Sequence, residues 1–152
     1  MNRFNNVIFG QKAFILKDNK ILIIKRSEVD MFLGMWDVPG GKIEENEILL
    51  EGLTREIKEE VGLTLEQISL VLTTSKFIGS KGDYPIIFRN IYLCSASGEI
   101  KLSSEHSEYK WVELDELCNY NFPNDPDFQS VIKRIPKIVS ELDKGAKYSE
   151  LF

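Results

Sequence analysis

From Leu49 to Val61 the chain places an apolar residue at every fourth position, Leu49, Leu53, Ile57 and Val61, and Gly62 ends the run. Four-residue spacing is helical, and with Leu50 these side chains fill one arc of roughly 120°, a stripe that must be buried against something. A helix this short is marginal alone, so the rest of the chain has to supply the covering surface. What the rest supplies is β-structure. Phe9 to Leu16 and Ile21 to Lys25 read as a hairpin turned by Lys17-Asp18-Asn19-Lys20, and Ser27 to Gly41 reads as a loop broken by Gly34, Pro39, Gly40 and Gly41. After the helix, Ile68 to Ile78 and Pro85 to Ser95 read as strands joined by a hairpin loop over Gly79 to Asp83, and Tyr109 to Glu113 reads as another. Leu114 to Leu117 predicts a short helical turn. A last helix carries Phe128, Ile132, Ile135, Val139 and Leu142, and Pro136 is expected to kink or split it. This order predicts the α/β class, a mixed sheet with helices packed on its faces. The 152 residues suit a single domain over 1–143, with 144–152 expected as an untethered tail.

Beside the apolar stripe, on an arc of about 100°, lie Glu56, Glu59 and Glu60. Glu56 is three residues from Glu59 and four from Glu60, so three carboxylates point into one small volume. Like charges at these spacings, in the last turns of a helix, oppose both each other and the helix dipole. Gly52 falls on the same arc one turn earlier and weakens the helix further, which reads as space opened beside the acids. One reading is a solvated acidic face. The other is a site for a hard divalent cation, Mg²⁺ with Mn²⁺ as the alternative, and the abutting apolar stripe and preceding Gly-rich loop favour it. Arg55, one turn from Glu51 and Glu59, reads as an ion pair that orients Glu59 rather than as a phosphate clamp. Glu47 is placed at the helix's first turn, where the dipole favours an anion.

Charge and composition exclude other classes. The chain carries 24 acidic and 19 basic residues, so a broad basic face for a nucleic-acid polymer is not expected. Residues 41 to 63 hold seven Glu against Lys42, Arg55 and Lys58, which concentrates most of the net charge of −5 in the helix segment. The longest apolar runs are four residues, as in Ile21 to Ile24, and Met1 to Asn6 lacks an apolar stretch, so no membrane segment or signal peptide is predicted and a cytoplasmic location is expected. Cys94 and Cys118 fit neither a disulfide framework nor a zinc knuckle. His106 is the one histidine, which removes a His-rich metal site; it is expected to be exposed to solvent.

The run Gly41, Glu47, then Arg55-Glu56-Ile57-Lys58-Glu59-Glu60-Val61-Gly62-Leu63 resembles the Nudix box, G-x5-E-x7-R-E-U-x-E-E-x-G-U with U a bulky aliphatic residue, at every fixed position. Arg26, Gly34-Met35-Trp36-Asp37-Val38-Pro39-Gly40, Glu105 and Trp111-Val112 are similar to the MutT-like members. The resemblance implies the Nudix fold, an α/β/α sandwich. It implies that Glu56, Glu59 and Glu60 bind Mg²⁺ together with the carbonyl of Gly41. Glu56 would also position or deprotonate water. Glu105 would be the distal carboxylate that completes the metal site or acts as general base, with Glu108 its competitor. Arg26 and Lys42 would hold substrate phosphates, and Glu47 would support the loop. Trp36, with Phe32 and Met35, would stack a base or else pack the loop on the core. Asn124, in Phe122-Pro123-Asn124, would read the base or else form a plain turn.

The implied activity is Mg²⁺-dependent hydrolysis of a nucleoside diphosphate linked to another group. An ordinary or oxidised nucleoside triphosphate is favoured, giving a monophosphate and pyrophosphate. ADP-ribose and dinucleoside polyphosphates are alternatives; the lack of proline between the box and Pro85 goes against ADP-ribose, and the lack of an SQPWPFPxS-like stretch goes against NADH. A non-catalytic nucleotide-binding module would be expected to have lost box carboxylates, and an isopentenyl diphosphate isomerase would need a catalytic Cys that Cys94 and Cys118 do not obviously supply. The expected partner is a small nucleotide, the expected state a monomer or homodimer.

Overall fold

The run Ile21 to Ile24 has no polar alternation, and that is explained by a strand covered on both faces. In the computed structural model, which describes residues 7–27, 32–79 and 86–147, this run lies in β2 (Lys20–Arg26). Ile21 and Ile23 face one core and Leu22 and Ile24 the other, all fully buried. β1 (Val7–Lys17) divides in the same way, with Phe14 on one side and Ala13 and Ile15 on the other. Asp18 and Asn19 between these strands both take positive φ, 50° and 61°, as a tight two-residue hairpin turn requires.

The hairpin pairs along β1 only at Leu16↔Ile21 and Lys17↔Lys20. The rest of β1 runs parallel to β6 (Ile86–Ser97), which is antiparallel to β5 (Thr64–Ile78). β2 instead pairs with β7 (His106–Glu113) from Lys20↔Glu113 to Arg26↔His106. Two short strands, β3 (Trp36–Asp37) and β4 (Gly40–Lys42), lie within the segment expected to be loop; β3 pairs β2 and β4 pairs β1. The strands form a mixed sheet with a helix on each side, the expected fold class. α1 (Leu49–Val61) covers one face through Leu53, Ile57 and Val61, and α2 (Pro126–Asp143) covers the other through Phe128, Val131, Ile132, Ile135, Ile138 and Val139.

Several expectations need correction. Leu49 and Leu50 are about half exposed, because the first turn of α1 projects beyond the sheet; the buried stripe is Gly52, Leu53, Ile57 and Val61. Glu47 lies just before α1, whose N-cap is Ile48. β5 begins at Thr64, two residues after the left-handed Gly62 that caps α1. β7 begins at His106, three residues before the expected strand start. Pro136 does not split α2, which runs through it as one helix, since the apolar stripe on either side of that residue is held on the same sheet face. The short turn after β7 is a 3₁₀ helix over Leu114–Asn119. The first tail residues are tied back, with Gly145 N donating to Leu142 O and Ala146 N to Glu141 O; 148–152 lie outside the described residues. So does most of the expected 79–83 hairpin loop, and so does Pro85. Among the described residues no helix is long and apolar enough to cross a membrane.

Candidate active site

Register brings the glycines to the glutamates. β4 lies antiparallel on β1 with Gly41 opposite Gln11 and Gly40 opposite Lys12, and α1 packs beneath it. Gly40 N donates to Glu60 Oε2 at 2.8 Å. A Cβ on Gly41 would meet the Glu56 carboxyl at 2.4 Å from its carbon, and a Cβ on Gly40 (φ 149°) would lie 2.0 Å from Gln11 O. A side chain on Gly41 would displace the Glu56 carboxyl and one on Gly40 would strike the backbone of β1, so the two glycines let β4 fit between β1 and the carboxylates of α1. Gly52 serves a different purpose from the one expected. Its missing Cβ leaves room for Glu47 Oε2 and Gln11 Nε2 rather than for the three acids.

Arg55 organises the outer side. It bonds both Glu47 oxygens, Glu56 Oε1 at 2.9 Å, Glu59 Oε2 at 3.1 Å and the Lys42 carbonyl at 3.1 Å. This is the ion-pair role, extended from Glu59 to the whole loop. The Arg55 guanidinium, with the Glu44 amide, holds Glu47 down to about 2. Burial raises the proton affinity of Glu56 against the pull of Arg55, with Glu59 and Glu105 adding to the rise. Burial pushes Glu60 up to about 7, opposed by Lys12 and the Gly40 amide. Glu59 is the exposed member of the trio.

The third side comes from the segment before β7. Lys101 N donates to Val61 O and Ser103 N to Glu60 O, so this loop satisfies the free carbonyls at the end of α1. Ser27 N bonds Glu105 O, which ties the loop to the end of β2 as well. Glu105 and Glu60 thereby come together, and a donor atom of His106 lies within 4.8 Å of an oxygen of each. Glu108 is elsewhere, paired with Lys25 and Lys110. His106 corrects the expectation of an exposed residue. It is 7% exposed, and burial lowers its pKa to about 4.

Beside the carboxylates is a cavity of about 350 Å³ lined by Lys12, Arg26, Phe32, Asp37, Phe77, Arg89, Pro123, Asn124, Asp125 and Phe128. Lys12 Nζ bonds Asp37 Oδ2 at 2.6 Å, and Arg26 Nη1 lies 3.6 Å from the same oxygen. Arg26 and Asn124 thus reach the cavity. Trp36 does not: it is 8% exposed, packed edge-on against Tyr120 with Lys25 and Lys110 over its ring, and Phe32 takes the cavity wall. The Lys42 side chain is exposed and pairs with no described residue, while Lys12 occupies the position beside Glu60 and the cavity. Sequence reasoning passed over Lys12, Asp37, Arg89 and Asp125. A lysine in a largely apolar strand was the available signal for Lys12, Asp37 stood within the Gly34 to Gly40 segment, and Asp125 stood before a helix-starting proline; nothing local marked Arg89.

The arrangement offers hard oxygen donors on one side, two cations in the middle and an aromatic cavity on the other, chemistry suited to a metal-bound polyphosphate carrying a ring.

Residues 10–135 match the family model described as NUDIX domain. An 8-oxo-dGTP diphosphatase of Buchnera aphidicola subsp. Schizaphis graminum is 34% identical over 122 residues, covering 80% of this chain and 87% of that protein. Nucleoside triphosphatase NudI of Escherichia coli strain K12 is 31% identical over 116 residues, 70% of this chain and 82% of its own length. Among solved structures, a MutT protein from Methanosarcina mazei Go1 aligns with a TM-score of 0.70 at 28% identity, covering 87% of this chain and 94% of its own. A MutT NUDIX hydrolase from Burkholderia pseudomallei aligns at 0.63 and 29% identity, covering 80% and 90%.

Proposed function

The chain belongs to the Nudix family of hydrolases acting on phosphorus anhydrides, and from that premise we propose that it cleaves nucleoside triphosphates, ordinary or oxidised, to a monophosphate and pyrophosphate with Mg²⁺ as the working cation. The observation that carries this reading is the adjacency of the carboxylates to the Lys12, Arg26 and Asn124 cavity, whose aromatic walls suit a base. The relatives named 8-oxo-dGTP diphosphatase and nucleoside triphosphatase favour the same substrate class.

The residues fit a divalent cation: Glu56, Glu59, Glu60 and Glu105 are hard oxygen donors, and the missing Cβ of Gly41 leaves its backbone against Glu56. Those side chains, with the Gly41 carbonyl, would hold the metal. When bound it supplies phosphate charge neutralisation and a more acidic water. Lys12 and Arg26 hold the phosphates in this reading, and Asn124 reads an edge of the base. Glu56, whose burial raises its proton affinity, or Glu105 accepts the proton of the attacking water. Lys12 takes the role expected of Lys42.

The test is a hydrolysis panel of dNTPs, 8-oxo-dGTP, ADP-ribose and dinucleoside polyphosphates with Mg²⁺, the products identified by mass. Pyrophosphate plus a monophosphate is the expected result. AMP plus ribose phosphate from ADP-ribose alone would overturn the substrate class. Glu60→Gln is expected to lower turnover by about two orders of magnitude or more while the protein stays folded; near-normal hydrolysis by that variant would remove Glu60 from the site.

A further inference from the structure

His106 is the chain's single imidazole, and it opens β7 in a nine-tenths buried position beside two carboxylates. One ring nitrogen, one Glu60 oxygen and one Glu105 oxygen all lie within 4.8 Å of each other. Donors bound to a single octahedral cation at about 2.1 Å stand about 3 Å apart when adjacent and about 4.2 Å apart when opposite, so small side-chain rotations bring these three to one ion. The protein itself makes little use of the ring. Nδ1 is 3.4 Å from Ser103 Oγ, too long for a strong hydrogen bond, and Nε2 has no hydrogen-bond partner among the described residues. The ring therefore keeps a nitrogen that the fold does not commit to a strong hydrogen bond and that a ligand can use. Asp37, Arg26 and Lys12 also act on the ring, Lys12 being bonded to Asp37, while Glu60 and Glu105 bring carboxylate oxygens within 4.8 Å of a ring nitrogen.

We propose that His106 is a nitrogen ligand to a divalent cation shared with Glu60 and Glu105, and that it tilts this position from Mg²⁺ toward a first-row transition cation such as Mn²⁺. Imidazole strengthens binding of transition cations and adds little for Mg²⁺, which prefers oxygen and retained water. The proposal rests on the metal-dependent reading above but concerns binding, so it can be tested without turnover.

The experiment titrates metal-free full-length protein with Mn²⁺, using pulsed electron paramagnetic resonance, and with Mg²⁺, using calorimetry. Wild type should show ¹⁴N coupling to bound Mn²⁺. His106→Gln should lose that coupling and weaken Mn²⁺ about tenfold, with Mg²⁺ affinity changed by less than about threefold. His106→Asp should bind Mn²⁺ without ¹⁴N coupling and regain relative affinity for Mg²⁺. Bound Mn²⁺ without ¹⁴N coupling in wild type overturns the proposal and leaves the proposed hydrolysis standing, whereas no Mn²⁺ or Mg²⁺ binding at all overturns both. If His106→Gln fails to fold by circular dichroism, the wild-type ¹⁴N signal decides alone.

Discussion

Gly40 and Gly41 are adjacent, yet a methyl group on each meets a different obstacle. On Gly41 it strikes the end of the Glu56 side chain, which can swing away but only by leaving the site. On Gly40 it strikes the backbone of β1 at 2.0 Å from Gln11 O, where nothing can swing. Gly41→Ala is therefore expected to fold, with stability lowered by about 1 kcal/mol and hydrolysis reduced about tenfold or more. Gly40→Ala, which also forces Ala to φ 149°, should lose about 3 kcal/mol or more. Urea unfolding with parallel turnover measurements checks both; equal stability losses in the two variants would contradict the distinction. The sequence showed two glycines after a proline and so a close backbone approach. It could not show that one approaches a carboxylate and the other a strand, because that depends on the β1–β4 register.

Among elements, the start of α2 joins structure to the cavity. Asp125 Oδ1 caps the helix by accepting from Asp127 N and Phe128 N, and its Oδ2 takes Arg89 Nη1 of β6 at 2.6 Å. Arg89 in turn lies over the Phe77 ring of β5. Burial acts to raise the pKa of Asp125, but Arg89 and the helix amides outweigh it and hold the carboxyl below its ordinary 3.8. A depressed carboxylate stabilises the fold fully above its unfolded pKa, and the contribution is lost as pH falls through the lower folded value. Asn caps a helix nearly as well as Asp, so Asp125→Asn isolates the ion pair. It should cost about 1 to 2 kcal/mol at pH 7, and the gap from wild type should narrow progressively as pH falls below the ordinary 3.8, read by urea unfolding at each pH. A gap unchanged by acid would mean that the pair contributes nothing. Asp125-Pro126 was legible as a helix start from composition alone, since Asp caps and Pro suits the first turn. Its bond to Arg89, 36 residues away, was not. Pro136 shows the opposite limit: the local rule allowed a split there, and a continuous buried stripe keeps the helix whole.

At the scale of the molecule, the two-sided core was written in β1, β2 and β6, whose apolar residues alternate between helices, and the acid trio was written in α1. What joins them is the loop before β7, which closes the end of α1 through Lys101 and Ser103 and so delivers Glu105 and His106 to Glu60. Its residues carry no periodicity, so only the resemblance pointed to Glu105, and the burial of His106 could not be read at all. This closure sets buried negative charge between three parts of the fold, β4, α1 and the loop, and metal-free protein must bear it. Burial raises Glu60 from 4.5 to about 7, so its ionisation removes stability as pH climbs between those values, and above about 7 Glu60→Gln should be the more stable protein in EDTA. A cation bound only by the folded state reverses the order. At ten times its dissociation constant it adds about 1.4 kcal/mol, or about 4 °C in melting temperature for a chain of this size. Melting curves of wild type and Glu60→Gln in EDTA, in Mg²⁺ and in NaCl of matched ionic strength therefore make one prediction together: Gln above Glu without metal, Glu raised by Mg²⁺, Gln raised far less, and neither shift reproduced by NaCl. A wild-type rise that NaCl matches would assign the effect to screening of the seven glutamates around α1 rather than to a bound ion.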